Sequence, residues 1–159
     1  MICRFALAEE AHLAAELVGI INPAFYEAEK ELWTEDVTFE RTNEAEVQGM
    51  IEAGEIVLGL IDSVIACTCR ITLKDSVGDL GLFACRATER SKGLGTQMRS
   101  VFELYCLQNG CTHAQVEVLY PTDKSHEGKN RLIQWYNRGG YEAVREENFA
   151  LMFPHLAGR

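Results

Sequence analysis

The chain has 159 residues, 47% hydrophobic and 25% charged, with 24 acids against 15 bases for a formal charge of −9. Such a length suits one domain, 1–159, with a core of its own. The acid excess opposes a nucleic-acid partner, no apolar run nears the roughly 20 residues of a membrane span, and the first residues lack a signal-peptide layout. A cytoplasmic protein without nucleic-acid or membrane partners is therefore expected.

Taken in chain order, "ICRFALA" reads as a first strand. "EEAHLAAELVGIINPAFYEAEKELW" reads as helix, broken at Asn22-Pro23 because proline disfavours helix in the residue before it. "TNEAEVQGMIEAG" reads as a short helix capped by Asn43, with Glu46 as the capping-box acid and Gly54 as the stop. "EIVLGLIDSVIACTCRITL" reads as two strands turning near Asp62-Ser63, and "VGDLGLFAC" as another. In "GLGTQMRSVFELYCLQNGC" the apolar residues Leu94, Met98, Val101, Phe102, Tyr105 and Cys106 recur at helical spacing, and Asn109-Gly110 ends the helix. "HAQVEVLY" reads as a strand, "PTDKSHEGK" as a polar loop and "NRLIQWYNRGG" as a helix stopped by two glycines. "YEAVREENFALMF" reads as two short final strands. This order predicts an α/β domain with a mixed sheet.

Six cysteines are present without a C-x-x-C pair, and most lie in apolar runs as small buried hydrophobes. Cys67 and Cys69 alternate on one strand and so share a face. No ligand spacing points to a metal. The four histidines are scattered and suggest neither a metal site nor a triad.

The segment "CRATERSKGLGTQM" concentrates bases in an acidic chain, at a turn from strand to helix. The first amides of a helix lack intrahelical acceptors and carry the positive end of the dipole. Gly93 and Gly95 keep side chains out of the way, while Arg90 and Lys92 add full charges. Together these features suit phosphate. The turn is neither a Rossmann fingerprint nor a P-loop, because the third glycine and the G-K-S/T are missing.

A second element, "NRLIQWYNRGGYEAV", lies downstream. With both present, the chain resembles the GCN5-related N-acetyltransferases (GNATs). Arg90, Gly93 and Gly95 meet that family's (Q/R)-x-x-G-x-(G/A) turn, and Tyr136, Gly140 and Tyr141 meet its late Y-x-x-x-G-(F/Y) motif. The match covers most of the chain and is densest from Gly78 to Val144. It implies the GNAT fold: a mixed, mostly antiparallel sheet of about six to seven strands flanked by helices.

The resemblance also implies acetyl-CoA as cosubstrate. Its pyrophosphate would meet the backbone of Ser91, Lys92, Gly93, Leu94, Gly95 and Thr96, with Arg90 nearby. Its pantetheine arm would pair with the strand edge Phe83, Ala84 and Cys85. Ser91 and Cys85 depart from the glycine and valine common there. Tyr136 occupies the position of the acid that protonates the leaving thiolate. For the base, Asp79 on the strand before the turn and Glu117 on "AQVEVLY" are alternatives, with ordered water a third. Asn130, with Lys129 beside it, stands near the family's helix asparagine, and Lys129 is a candidate for coenzyme phosphate. The acids Glu27, Glu29, Glu31, Glu35 and Asp36, with Phe25, Tyr26 and Trp33, suggest a pocket for a cationic amine.

The implied activity is acetyl transfer to a primary amine of a small molecule, by a monomer or homodimer. Two alternatives are transfer to a protein lysine or N-terminus, and a non-catalytic acyl-CoA-binding module.

Overall fold

A computed structural model describes residues 1–33 and 40–152. The chain forms two compact units, Met1–Tyr26 with Phe39–Val116, and Glu27–Thr38 with Glu117–Arg159.

The first unit carries a five-stranded sheet in the order β1-β2-β3-β4-β5. Its strands are β1 (Ile2–Phe5), β2 (Ile56–Ile61), β3 (Val64–Lys74), β4 (Val77–Cys85) and β5 (His113–Val116). The first three pairings are antiparallel and the last is parallel. Two-residue turns at Asp62-Ser63 and Asp75-Ser76, all four residues at positive φ, join β2 to β3 and β3 to β4. Turns of that kind match the right-handed twist of the strands.

Helices cover both faces. On one, α1 (Ala14–Glu29) and α2 (Glu44–Glu52) present Leu17, Ile21, Val47 and Ile51 to Ile56, Leu58 and Ile65. On the other, α3 (Leu94–Gln108) presents Leu94, Met98, Phe102 and Cys106 to Val57, Cys67, Cys69, Ile71 and Leu80. The cap at Asn43 forms, its Oδ1 accepting the Glu46 N–H at 3.0 Å. Glu46 completes no reciprocal bond to the Asn43 backbone; its carboxylate takes the Thr42 hydroxyl at 2.9 Å.

Several expectations are corrected. α1 runs through Pro23 without breaking. Proline removes only its own N–H bond to the carbonyl four residues back, here that of Gly19. Asn22 is anchored from the side, its amide donating to Thr42 O at 2.9 Å and accepting the Thr42 N–H at 3.1 Å. β5 stops at Val116, where its parallel partner Leu80 precedes an irregularity in β4. The two final strands do not form among the described residues; Phe149–Met152 is instead a helical turn, α5. The sheet thus has five described strands rather than six to seven. No described helix is long and apolar enough to cross a membrane.

The second unit contains α4 (Glu127–Arg138), which begins three residues before the expected Asn130. His126 is its cap, accepting the Lys129 N–H at Nδ1, 3.2 Å away. The helix ends in a Schellman motif: Tyr141 N–H returns to Tyr136 O at 3.1 Å and Gly140 N–H to Asn137 O at 3.0 Å. Gly140 takes φ 88° at the left-handed position. The rings of Tyr136 and Tyr141 meet at 5.3 Å, the apolar contact that accompanies such a stop.

Gly78 sets how closely α3 approaches β4, since a Cβ there would lie 2.1 Å from Cys106 Sγ and 3.3 Å from the Phe102 ring. Gly78→Ala should therefore cost about 1–3 kcal/mol by overpacking. Urea melts of the wild type and variant would measure it, and Gly78→Ala with Cys106→Ala should recover part of the loss.

Candidate functional site

The central irregularity of the first unit lies in β4. Thr68 pairs with Ala84, but Arg70 pairs with Gly81, so β4 carries one residue more than β3 across this interval. Leu82 absorbs it with φ 47°, a left-handed conformation costly for a leucine. The extra residue reverses the alternation of faces. Leu80 packs with α3, while Leu82 and Ala84 pack on the α1 side and Phe83 and Cys85 return to the α3 side. Pairing with β5 covers only Val77–Leu80, so the same edge of β4 continues past the ladder through Gly81–Cys85. Backbone amides and carbonyls on such an edge can pair with an extended ligand.

β4 leads to a short 3₁₀ turn, Ala87–Glu89, and then to the mouth of α3. Gly93 is the cap residue, at φ 76°, and supplies no side-chain cap. The first intrahelical bond runs from Gln97 N–H to Gly93 O at 3.3 Å. The amides of Leu94, Gly95 and Thr96 precede it and have no acceptor within the helix. A Cβ on Gly93 would meet nothing within 4 Å, so the space before the helix is open and the glycine is required by its φ. Ser91 also has positive φ, 65°, which explains why glycine is the natural choice at that position.

Charge is distributed unevenly here. Lys92 Nζ is held by Glu89 at 2.9 Å, which partly neutralises it. Arg90 is exposed and no ion pair is recorded for it among the described residues. Arg86 is committed elsewhere: Nε donates to Ile65 O at 2.5 Å, and the guanidinium pairs with Glu16 on α1.

A groove of about 240 Å³ lies between α1 and the end of β4, lined by Gly19, Pro23, Cys85, Arg86, Thr88 and Arg90. Pro23 matters to its chemistry. The Gly19 carbonyl has no i+4 N–H to accept, which leaves it as an acceptor in the helix that lines the groove.

Of the sequence-derived residues, Phe83, Ala84, Cys85 and Arg90 through Thr96 thus lie on one continuous run from the β4 edge to the α3 mouth. Asp79 lies on β4 before the irregularity, and its Oδ2 accepts from Gln115 on β5 at 2.9 Å. Glu117 is not mid-strand, because β5 has already ended, and its side chain is exposed.

The remaining residues belong to the second unit. Tyr136 is 8% exposed, between Trp135, at 4.8 Å, and Tyr141. Asn130 is exposed and bonds Ser125 Oγ at 3.0 Å. Lys129 is not available for a phosphate: it is buried with Nζ 3.0 Å from Glu29 Oε1, itself buried. Among the described residues Glu29 Oε2 has no hydrogen-bond partner.

Glu27 is exposed and paired with Lys30, and Glu31 is exposed near His126. Phe25 lies under the Arg41 guanidinium at 4.9 Å, and Trp33 meets Phe149 edge-on at 5.7 Å. Glu35 and Asp36 fall outside the described residues. Sequence reasoning missed the Leu82 irregularity; the strand "VGDLGLFAC" carries no glycine at that position to signal it.

No family model and no curated protein matches the chain. Solved structures do. The PaiA N-acetyltransferase of Thermoplasma acidophilum, solved with coenzyme A, superposes with a TM-score of 0.71 at 11% identity, over 92% of each chain. The chain has the GNAT fold. An acetyltransferase of that family from Listeria monocytogenes superposes at 0.67 with 16% identity, over 92% of this chain and 89% of the other. An aminoglycoside acetyltransferase from an uncultured soil metagenomic sample, solved with sisomicin, does so at 0.61 with 9% identity, over 93% and 94%. Along the chain, the end of β4 is joined to the α3 mouth by the short turn Ala87–Glu89.

The Glu29–Lys129 pair tests how much this buried charge matters. Lys129→Met leaves an uncompensated buried carboxylate and should cost about 3–5 kcal/mol. Adding Glu29→Leu should recover most of it in denaturant melts, since a buried pair replaced together is often near neutral.

Proposed function

We propose that the chain is a single-domain, cytoplasmic acetyltransferase that moves an acetyl group from acetyl-CoA to a primary amine of a small molecule. The observation that supports this reading is the run of chain from the β4 edge at Gly81–Cys85, unpaired among the described residues, to the mouth of α3, where Gly93 supplies no side-chain cap. An amide-bearing arm can pair with the edge while a diphosphate sits at the mouth. The groove supports it, since about 240 Å³ is small beside the roughly 300–1,000 Å³ usual for compact ligands and suits a slender chain. The superposed PaiA structure was solved with coenzyme A, and the metagenomic one with the amine sisomicin.

In this mechanism the amides of Leu94, Gly95 and Thr96 and the Arg90 guanidinium bind the diphosphate. The β4 edge orients the thioester arm. A neutral amine attacks the thioester carbonyl, and its proton passes to a base. Asp79 is one candidate, although Gln115 already holds its carboxylate; ordered water is the other. The tetrahedral intermediate collapses, the C–S bond breaks, and Tyr136 gives its phenol proton to the coenzyme thiolate.

Gly93→Glu places a carboxylate and a strained Cβ at the mouth, and should abolish coenzyme A binding by calorimetry while the circular-dichroism spectrum stays unchanged; retained affinity would remove the mouth from the mechanism. Tyr136→Phe should lower turnover by about 10²-fold or more with coenzyme affinity intact. Thiol release from acetyl-CoA across polyamines, aminoglycosides, amino acids and basic peptides identifies the acceptor. Tight coenzyme binding with no release on any amine would favour a non-catalytic module.

A further inference from the structure

The α3-facing side of the sheet carries a row of sulfur atoms. Cys3 on β1 pairs with Gly59 on β2, Gly59 with Cys67 on β3, and Cys67 with Cys85 on β4. Residues directly opposite across strands share a face, and all three cysteines pack in the α3-side cluster. Gly59 makes room for the row: a Cβ there would lie 2.4 Å from Cys67 Sγ.

Within this row one pair is set apart by backbone geometry. Arg86 N–H bonds to Ala66 O at 2.9 Å, so the adjacent pair Cys67 and Cys85 is of the non-hydrogen-bonded kind. Such pairs bring their Cα atoms to about 4.5 Å with the side chains close, within the roughly 4.4–6.8 Å that a disulfide spans. Cys3 is separated from Cys67 by the whole of β2. Cys69 lies opposite the extra β4 residue and has no cysteine partner in register.

We propose that Cys67 and Cys85 form a reversible dithiol–disulfide pair, with Cys85 as the thiol attacked first by a small-molecule disulfide. Both are free thiols in the structure. Cys85 is half-buried, whereas Cys67 is fully buried. The environment separates their acidities in the same sense. The Cys67 thiol lies 3.4 Å from Met1 Sδ and opposite Cys85 across the strands. Donation from Cys67 lowers the Cys85 pKa, and the Arg90 charge lowers it further, against an opposing effect of burial. Cys67 moves up, through its hydrogen bond to Cys85 and through burial.

The step balances. Cys85 thiolate attacks one sulfur of a disulfide RSSR, forming a mixed disulfide and releasing RS⁻. Cys85 then carries no negative charge. Cys67 sulfur attacks Cys85 Sγ, forming the cross-strand disulfide, and its proton leaves with the second RS⁻ as RSH. Two protein thiols are oxidised and one RSSR is reduced to two RSH.

The test uses the full chain and oxidised glutathione at neutral pH, followed by alkylation, proteolysis without reduction and mass spectrometry. The expected product is one peptide pair joined through Cys67 and Cys85, with two of the six thiols lost and all six restored by dithiothreitol. Cys85→Ser should slow thiol loss at least about ten-fold. Cys67→Ala should instead trap one glutathione on Cys85, and Cys69→Ser should leave the crosslink unchanged. A crosslink through other cysteines, or no crosslink in the wild type, would overturn the proposal, and so would unchanged thiol loss in Cys85→Ser. The wild-type product decides the matter even if the Cys67 variant fails to fold.

Discussion

The course of β4 in the first unit depends on one residue in the wrong half of conformational space. Leu82 sits at φ 47° in the middle of a strand, where an L-residue loses roughly 1–2 kcal/mol. Its side chain packs against the α1-side core, which holds it in place. The result is one extra residue in β4, a reversal of the two faces, and a strand edge that outruns its parallel neighbour. Strain concentrated at such a point is typical of segments that must present backbone to a ligand.

The mouth of α3 follows from the same economy of side chains. A glycine cap contributes no oxygen to the first amides, so the helix begins with its donors unclaimed. Most helices satisfy these donors with a serine, threonine, asparagine or aspartate, as α2 does with Asn43. The two helix starts therefore differ in a chemically meaningful way. One is closed by its own side chain, and the other is left open beside Arg90, within a region whose remaining bases are already paired. The Cys67–Cys85 pair lies at the end of β4, between the irregularity and this mouth.

The late tyrosine–glycine motif has two separable meanings. Gly140 and Tyr141 are accounted for by the helix stop alone, since a Schellman ending needs a left-handed residue and an apolar contact back to the last turn. Tyr136 supplies that contact through its ring. The stop uses its ring and backbone carbonyl.

By itself the sequence determined the local features whose physics is local. The glycine turn with its bases, the Asn43 cap, the Asp62-Ser63 turn and the stop at Gly139-Gly140 all appear as read, because each depends on residues within a few positions. The amphipathic spacing of α3 and the order of the first four strands were likewise legible, since burial on one face leaves a period in the chain. Tertiary structure alone decided the rest. Pro23 stays within α1 because Asn22 is anchored to Thr42, twenty residues away. Lys129 is taken from solvent by Glu29, a hundred residues away. The Leu82 irregularity and the sulfur row are properties of register between strands, and register is set by packing across the whole sheet rather than by any one strand.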